Sequence, residues 1–245
     1  MPAVERPGVR RLRPDRGAPA PRGDVWPMTV PAVAQLWQEG LELNSGATVL
    51  VGENGSGKST VIEVVAGALG LNPEGGSVGA RLQTRRTEPD ALPLVVERSP
   101  RAPRWAYLLR DETLHGLYTY LEGNPVENER AARESVFHAM SHGEAFLSIL
   151  ADRARGPGVY LLDEPDAALS FGGQLQLVVR LLDLVAAGAQ LLVATHSPLV
   201  AALPGATVLE VGPRGLRPAR WEDLELTASW RQFLAEPESF LRHLR

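Results

Sequence analysis

Gly52-Glu53-Asn54-Gly55-Ser56-Gly57-Lys58-Ser59-Thr60 is the stretch whose reading decides the fold. It fits the phosphate-binding loop pattern G-x-x-x-x-G-K-[ST]. The β-branched run Thr48-Val49-Leu50-Val51 before it predicts a buried strand. Val61 to Leu69 after it predicts a helix. Strand, glycine-rich turn and helix are the context the pattern requires. Gly52, Gly55 and Gly57 let backbone N–H groups curl round a phosphate without Cβ clashes. The new helix aims its N-terminus at the same anion. Lys58 is placed to reach the β- and γ-phosphates, and Ser59 to hold Mg²⁺.

Lys58 is also the only lysine in the chain, so 24 of the 25 Lys+Arg residues are arginines. Arginine serves wherever a positive charge suffices. Lysine is kept where a compact ammonium on a flexible stem is needed.

The 245 residues suffice for one large domain, and 44% apolar content suffices for a core. A net charge of −4 excludes a global basic signature for nucleic acid. The absence of Cys excludes disulfides and Cys-based metal or redox chemistry. No apolar run reaches the length of a membrane span, so no membrane insertion is expected and the default location is cytoplasmic.

Residues 1–24 are expected as an Arg/Pro-rich N-terminal arm, and 25–245 as one domain. The arm carries six arginines against Glu5, Asp15 and Asp24, and Val9 to Arg13 could form an edge strand. Packing, rather than a contact with a base, is the expected role of Trp26. Pro31 to Glu39 reads as a helix, started by Pro31 and stopped by Gly40. Two strands, Leu94–Glu97 and Trp105–Leu109, are expected to be joined by the Pro-rich stretch Ser99 to Pro103. Residues 81–110 carry seven arginines against three acids, which reads as a solvated sheet rim before a polyanion site. Helices are expected over 112–121 and 129–139, from Gly143, and over 173–187. Strands are expected over 159–162, 190–194 and 207–211, with helical segments around 227–235 and 237–244. Alternating strands and helices predict a largely parallel α/β sheet.

Val159-Tyr160-Leu161-Leu162 is an apolar strand that ends in Asp163-Glu164. Carboxylates at the C-terminal end of a parallel strand sit beside the phosphate-loop crevice. Asp163 is placed to bind Mg²⁺ through its water shell, and Glu164 to deprotonate the attacking water. His196 follows the next strand and could donate to a γ-phosphate or hold the attacking water. Ser141-His142-Gly143-Glu144 is by itself ordinary helix capping, but it lies 22 residues before Asp163.

In this order, the phosphate loop, Ser141 to Glu144, Asp163-Glu164, Ala167 to Ser170 and His196 resemble the ABC-type ATPase superfamily over about residues 45–212. Within it the chain is most similar to small, stand-alone bacterial predicted ATPases labelled AAA-family. The resemblance implies a P-loop fold of ABC type: a largely parallel sheet, an antiparallel β subdomain and a small helical signature subdomain. Ser141 to Glu144 would be the signature motif, Ala167 to Ser170 the D-loop and His196 the switch histidine. ATP and Mg²⁺ are the implied cofactors and Mg-dependent ATP hydrolysis the activity, with Glu164, His196 and Lys58 catalytic. The implied assembly is a head-to-tail homodimer, because the signature meets a γ-phosphate only on a second subunit.

Two departures stand out. The family's Q-loop glutamine should follow a strand near Leu109, where Arg110 and Glu112 stand instead. The interval from Lys58 to Ser141 leaves no room for a long coiled coil. The expected role is regulatory or DNA-associated. The alternatives are a membrane transporter's nucleotide-binding subunit and a binding switch with little turnover.

Overall fold

The computed structural model describes residues 8–78, 92–112 and 142–242. The expected helices over 112–121 and 129–139 lie outside these residues except for Glu112, and so does Ser141.

Seven strands form the main sheet: β3 (Ala47–Val51), β4 (Gly76–Ser77), β6 (Ala106–Arg110), β7 (Val159–Asp163), β8 (Gln190–Thr195), β9 (Thr207–Gly212) and β10 (Gly215–Ala219). Their order is β10-β9-β3-β8-β7-β6-β4. The five inner strands run parallel, and the edge strands β4 and β10 are antiparallel. All residues of β3, β6, β7 and β8 are buried, the pattern of strands covered on both faces.

One face packs on α3 (His142–Arg153), α4 (Phe171–Ala186) and the short α5 (Pro198–Ala201), through Phe146, Ile149, Leu177, Leu181 and Val200. The other packs on α1 (Pro31–Glu39) and α2 (Lys58–Ala68), through Ala32, Leu36, Ile62 and Val65. A second sheet closes that side, with β1 (Val9–Pro14) between β2 (Leu41–Glu42) and β5 (Leu94–Arg98), all antiparallel. After β10 come a 3₁₀ turn (Trp221–Asp223), α6 (Glu225–Ala235) and α7 (Pro237–Leu241). The fold is the α/β P-loop fold of ABC type, with a largely parallel core and an antiparallel β subdomain. Of the helical signature subdomain, the described residues hold α3.

Two local expectations change, and two features of the sheets add to the reading. The Arg-rich strand is a central strand, not an edge one: Val9 and Leu12 face the core and both flanks are paired. The two strands joined by Ser99 to Pro103 form as expected, and they enter different sheets, β5 the small one and β6 the large one. Trp26 does not pack but stays 42% exposed, while Met28 takes the buried position two residues on. Strand β10 was unforeseen, its tight turn after Gly212 being carried by Gly215 at φ +82°.

A side-chain amide hydrogen-bonds the large sheet to the small one. Gln190, buried at the start of β8, accepts from the backbone N–H of Val9 (2.8 Å) and donates to the carbonyls of Val9 and Asn44 (2.7 Å each).

Candidate functional site

The loop leaves β3 at Gly52 and enters α2 at Lys58. Gly57 caps the helix in the left-handed region at φ +101°, and a Cβ there would meet Val30 Cγ1 at 2.3 Å. No other residue fits that position. Lys58 is only 3% exposed. Its ammonium donates to the carbonyls of Gly52 (3.1 Å) and Glu53 (3.0 Å) and lies 2.8 Å from His196 Nε2. Burial pulls its pKa down, against the charges of Glu164, Asp163 and Asp166, which push it up.

Strands β7 and β8 deliver the remaining groups, because parallel neighbours end on the same side. Ser59 donates its hydroxyl to Asp163 Oδ1 at 3.0 Å. Burial pushes the Asp163 carboxyl up to about 6, although Arg110 and the Ser59 hydroxyl pull it down. Glu164 follows with φ +51°, a costly conformation for a residue with a side chain, and its N–H donates to the Ala194 carbonyl. That turn brings Glu164 Oε1 to 3.0 Å from His196 Nε2. His196 is positioned from below: Thr195 donates to Asp166 Oδ1 at 2.5 Å and accepts from the N–H of Ser197, whose hydroxyl donates to Gln174 Oε1 at 2.6 Å.

Lys58, Ser59, Asp163, Glu164 and His196 thus meet at one end of the sheet. Beside the outer face of the loop, Glu53 to Ser56, lies a cavity of about 780 Å³ walled by the β9–β10 turn and by Trp230 of α6. Asn54 and Gly55 line it, while Thr60 sits inside the first turn of α2. In the other group, Gly143 packs against Ala168 and Leu169, where a Cβ would come within 2.7 Å of the Ala168 carbonyl oxygen. Glu144 is exposed in the first turn of α3, headed by His142.

The residue that sequence reasoning underrated is Arg110. It is 7% exposed and stands in register with Asp163 across β6 and β7. Its Nη2 pairs with Glu63 Oε1 at 2.8 Å, its Nη1 donates to the Pro73 carbonyl at 3.1 Å, and its Nε lies 3.2 Å from Asp163 Oδ2. The last contact is an ion pair without hydrogen-bond geometry. Burial pulls the guanidinium pKa down, but the charges of Asp163 and Glu63 more than offset it, leaving a net rise. The visible signal was a lone arginine closing an apolar strand.

Among the described residues no group of three or more His, Cys, Asp or Glu side chains could hold a metal ion. The adjacent hydroxyl and carboxylate of Ser59 and Asp163 do fit a hard cation that keeps waters and takes its other oxygens from a nucleotide.

Residues 40–167 match the family described as ABC transporter. The chain belongs to the ABC transporter family. It is an ATP-binding ABC-type ATPase.

Residues 144–202 also match a family described as "AAA domain, putative AbiEii toxin, Type IV TA system". The cytochrome c biogenesis ATP-binding export protein CcmA of Rhodopseudomonas palustris is 31% identical over 62% of this chain and 79% of its own. An uncharacterized ABC transporter ATP-binding protein of Haemophilus influenzae is 26% identical over 65% of this chain and 67% of its own. The solved cbiO1 of Clostridium perfringens, part of the ABC transporter complex cbiONQ, superposes with a TM-score of 0.47 at 16% identity, covering 84% of this chain and 89% of that one. Among the described residues no helix is long and apolar enough to cross a membrane.

Proposed function

We propose that this ABC ATPase is the nucleotide-binding subunit of a membrane transport system, working as an ATP-dependent head-to-tail homodimer on the cytoplasmic side. The observation that carries the reading is the convergence of Lys58, Ser59, Asp163, Glu164 and His196 at one end of the sheet. Transporter subunits among the relatives support the choice of partner over the DNA-associated role expected from sequence.

The loop Gly52–Thr60 wraps the phosphates with its backbone N–H groups. Lys58 exchanges the Gly52 and Glu53 carbonyls for β- and γ-phosphate oxygens. Ser59 and Asp163 would hold Mg²⁺, which would supply positive charge against the negative charge that develops on the phosphates. Glu164 accepts the proton of the water that attacks the γ-phosphorus as the bond to ADP breaks. His196 donates to the γ-phosphate. Ser141 to Glu144 completes the site of the second subunit, and the packing of Gly143 on Ala168 and Leu169 supports a shared surface of signature and D-loop. We read residues 25–245 as one ATPase domain, with the arm of residues 1–24 joined to it through β1.

A stand-alone regulatory ATPase is the second reading, favoured by the AAA match over residues 144–202. The deciding experiment is affinity purification of the tagged chain from its own cells, with wild type and Lys58→Ala compared for ATP binding. Recovery with a membrane fraction, and binding lost in the variant, is expected. Purely soluble recovery, at ATP concentrations that saturate the wild type, would overturn the transport reading.

A further inference from the structure

The side chain at the end of β6 has no part in the roles assigned above, yet it touches the proposed metal position. Arg110 spans three elements: Glu63 on α2, Asp163 on β7 and the Pro73 carbonyl in the loop after α2. Glu63 lies one turn after Ser59, on the same helix face. The two oxygens of Asp163 are therefore divided, with Oδ1 taking the Ser59 hydroxyl and Oδ2 facing the guanidinium.

Two things follow from that division. The guanidinium ties the helix carrying Ser59 to the strand carrying Asp163, so the Ser59–Asp163 spacing is held without any metal. It also places a fixed positive charge against the carboxylate a divalent cation would need, in a buried setting where screening is weak. Arginine suits this place, because its charge persists at any working pH and its fork reaches several acceptors at once.

We propose that Arg110 is a positioning residue that acts as the site's resident cation, keeping the Ser59–Asp163 position shaped but closed to free divalent metal until nucleotide brings it. The phosphates add the negative charge and the oxygens that the protein alone lacks. A glutamine at this strand end could orient a ligand but could not repel a cation. The inference rests on the proposed metal roles of Ser59 and Asp163.

The test is Mn²⁺ titration of the nucleotide-free protein, read by loss of the free-ion electron paramagnetic resonance signal. Wild type should bind Mn²⁺ only at millimolar concentrations. Arg110→Gln should bind it about tenfold or more tightly, and Arg110→Lys, which keeps the charge, should stay near wild type. The double variant Glu63→Gln/Arg110→Gln leaves no unpaired, partly buried Glu63 carboxylate and should also bind more tightly than wild type, which covers a failure of the single variant to fold. Mn²⁺ bound by the nucleotide-free wild type in the low micromolar range would overturn the proposal. So would an Arg110→Gln affinity unchanged or weakened, or an Arg110→Lys affinity raised as far as that of Arg110→Gln. ATP-analogue binding on the same samples separates the two readings. Normal analogue binding lost in Lys58→Ala, alongside adverse Mn²⁺ data, removes the role of Arg110 alone.

Discussion

The ammonium of Lys58 lies 2.8 Å from Nε2 of His196, the same nitrogen that is 3.0 Å from Glu164 Oε1. A neutral imidazole nitrogen either accepts from an ammonium or donates to a carboxylate, not both. One of the two contacts is therefore mismatched, and a phosphate that draws Lys58 toward itself would relieve it. His196→Ala should bind nucleotide within about threefold of wild type and lose about 10²–10³ in single-turnover hydrolysis, the usual cost of one preorganised donor. Unchanged hydrolysis would take His196 out of the chemistry.

Glu164→Gln should keep ATP binding, stop turnover and trap the dimer, because hydrolysis is what removes the third phosphate holding the two subunits together. The loss expected of a general base is about 10²–10⁴ in rate. Sedimentation of the variant with ATP and Mg²⁺ is the measurement. A monomer at saturating nucleotide, or wild-type turnover, would reject the assignment.

Asp163 gives a pH signature in chelator. Burial raises its carboxyl from 3.8 to about 6. A carboxyl whose folded pKa is raised stabilises the fold while protonated. Its contribution is complete below about pH 4 and lost as pH rises through about 6. Asp163→Asn mimics the protonated form, so at about pH 7.5 it should be more stable than wild type by up to about 3 kcal/mol, with the gap closing toward pH 4. Paired urea melts across that range decide it. Adding Mg²⁺ and nucleotide should reverse the order, since the carboxylate is then wanted charged.

Gln190→Leu should cost about 2–3 kcal/mol in urea unfolding, because it strands the N–H of Val9 and two carbonyls in a buried seam. A loss under about 0.5 kcal/mol would show that water replaces the amide.

The fold was legible because its signals are local. Gly52 to Thr60 sits between an apolar strand and a helix, and the helix of Pro31 to Glu39 has its start and stop residues in place. The same holds for Asp163, Glu164 and His196, each placed by the strand it terminates. What could not be read depends on pairing across distance. Whether β5 continues into a hairpin with β6 or crosses to β1 is decided by which face needs cover, and no residue between them records that. Arg110 looked like a missing glutamine because its partners Glu63 and Asp163 lie 47 and 53 positions away in the sequence. Ser141 and the segment before it lie outside the described residues, so the signature rests on Gly143 alone.

The seam at Gln190 also bears on how the chain is made. Val9 and Gln190 are separated by 181 positions, so the first strand is synthesised long before the amide that receives it. On the ribosome β1 can meet β2 early and β5 later, but its link to the large sheet waits for β8 to emerge. Until then a buried-face strand rich in arginine stays half finished at the surface. Its charges keep such an edge from recruiting another nascent chain. The arginines that made residues 9–13 read as an edge strand would then serve the protein before it is folded, as protection during synthesis.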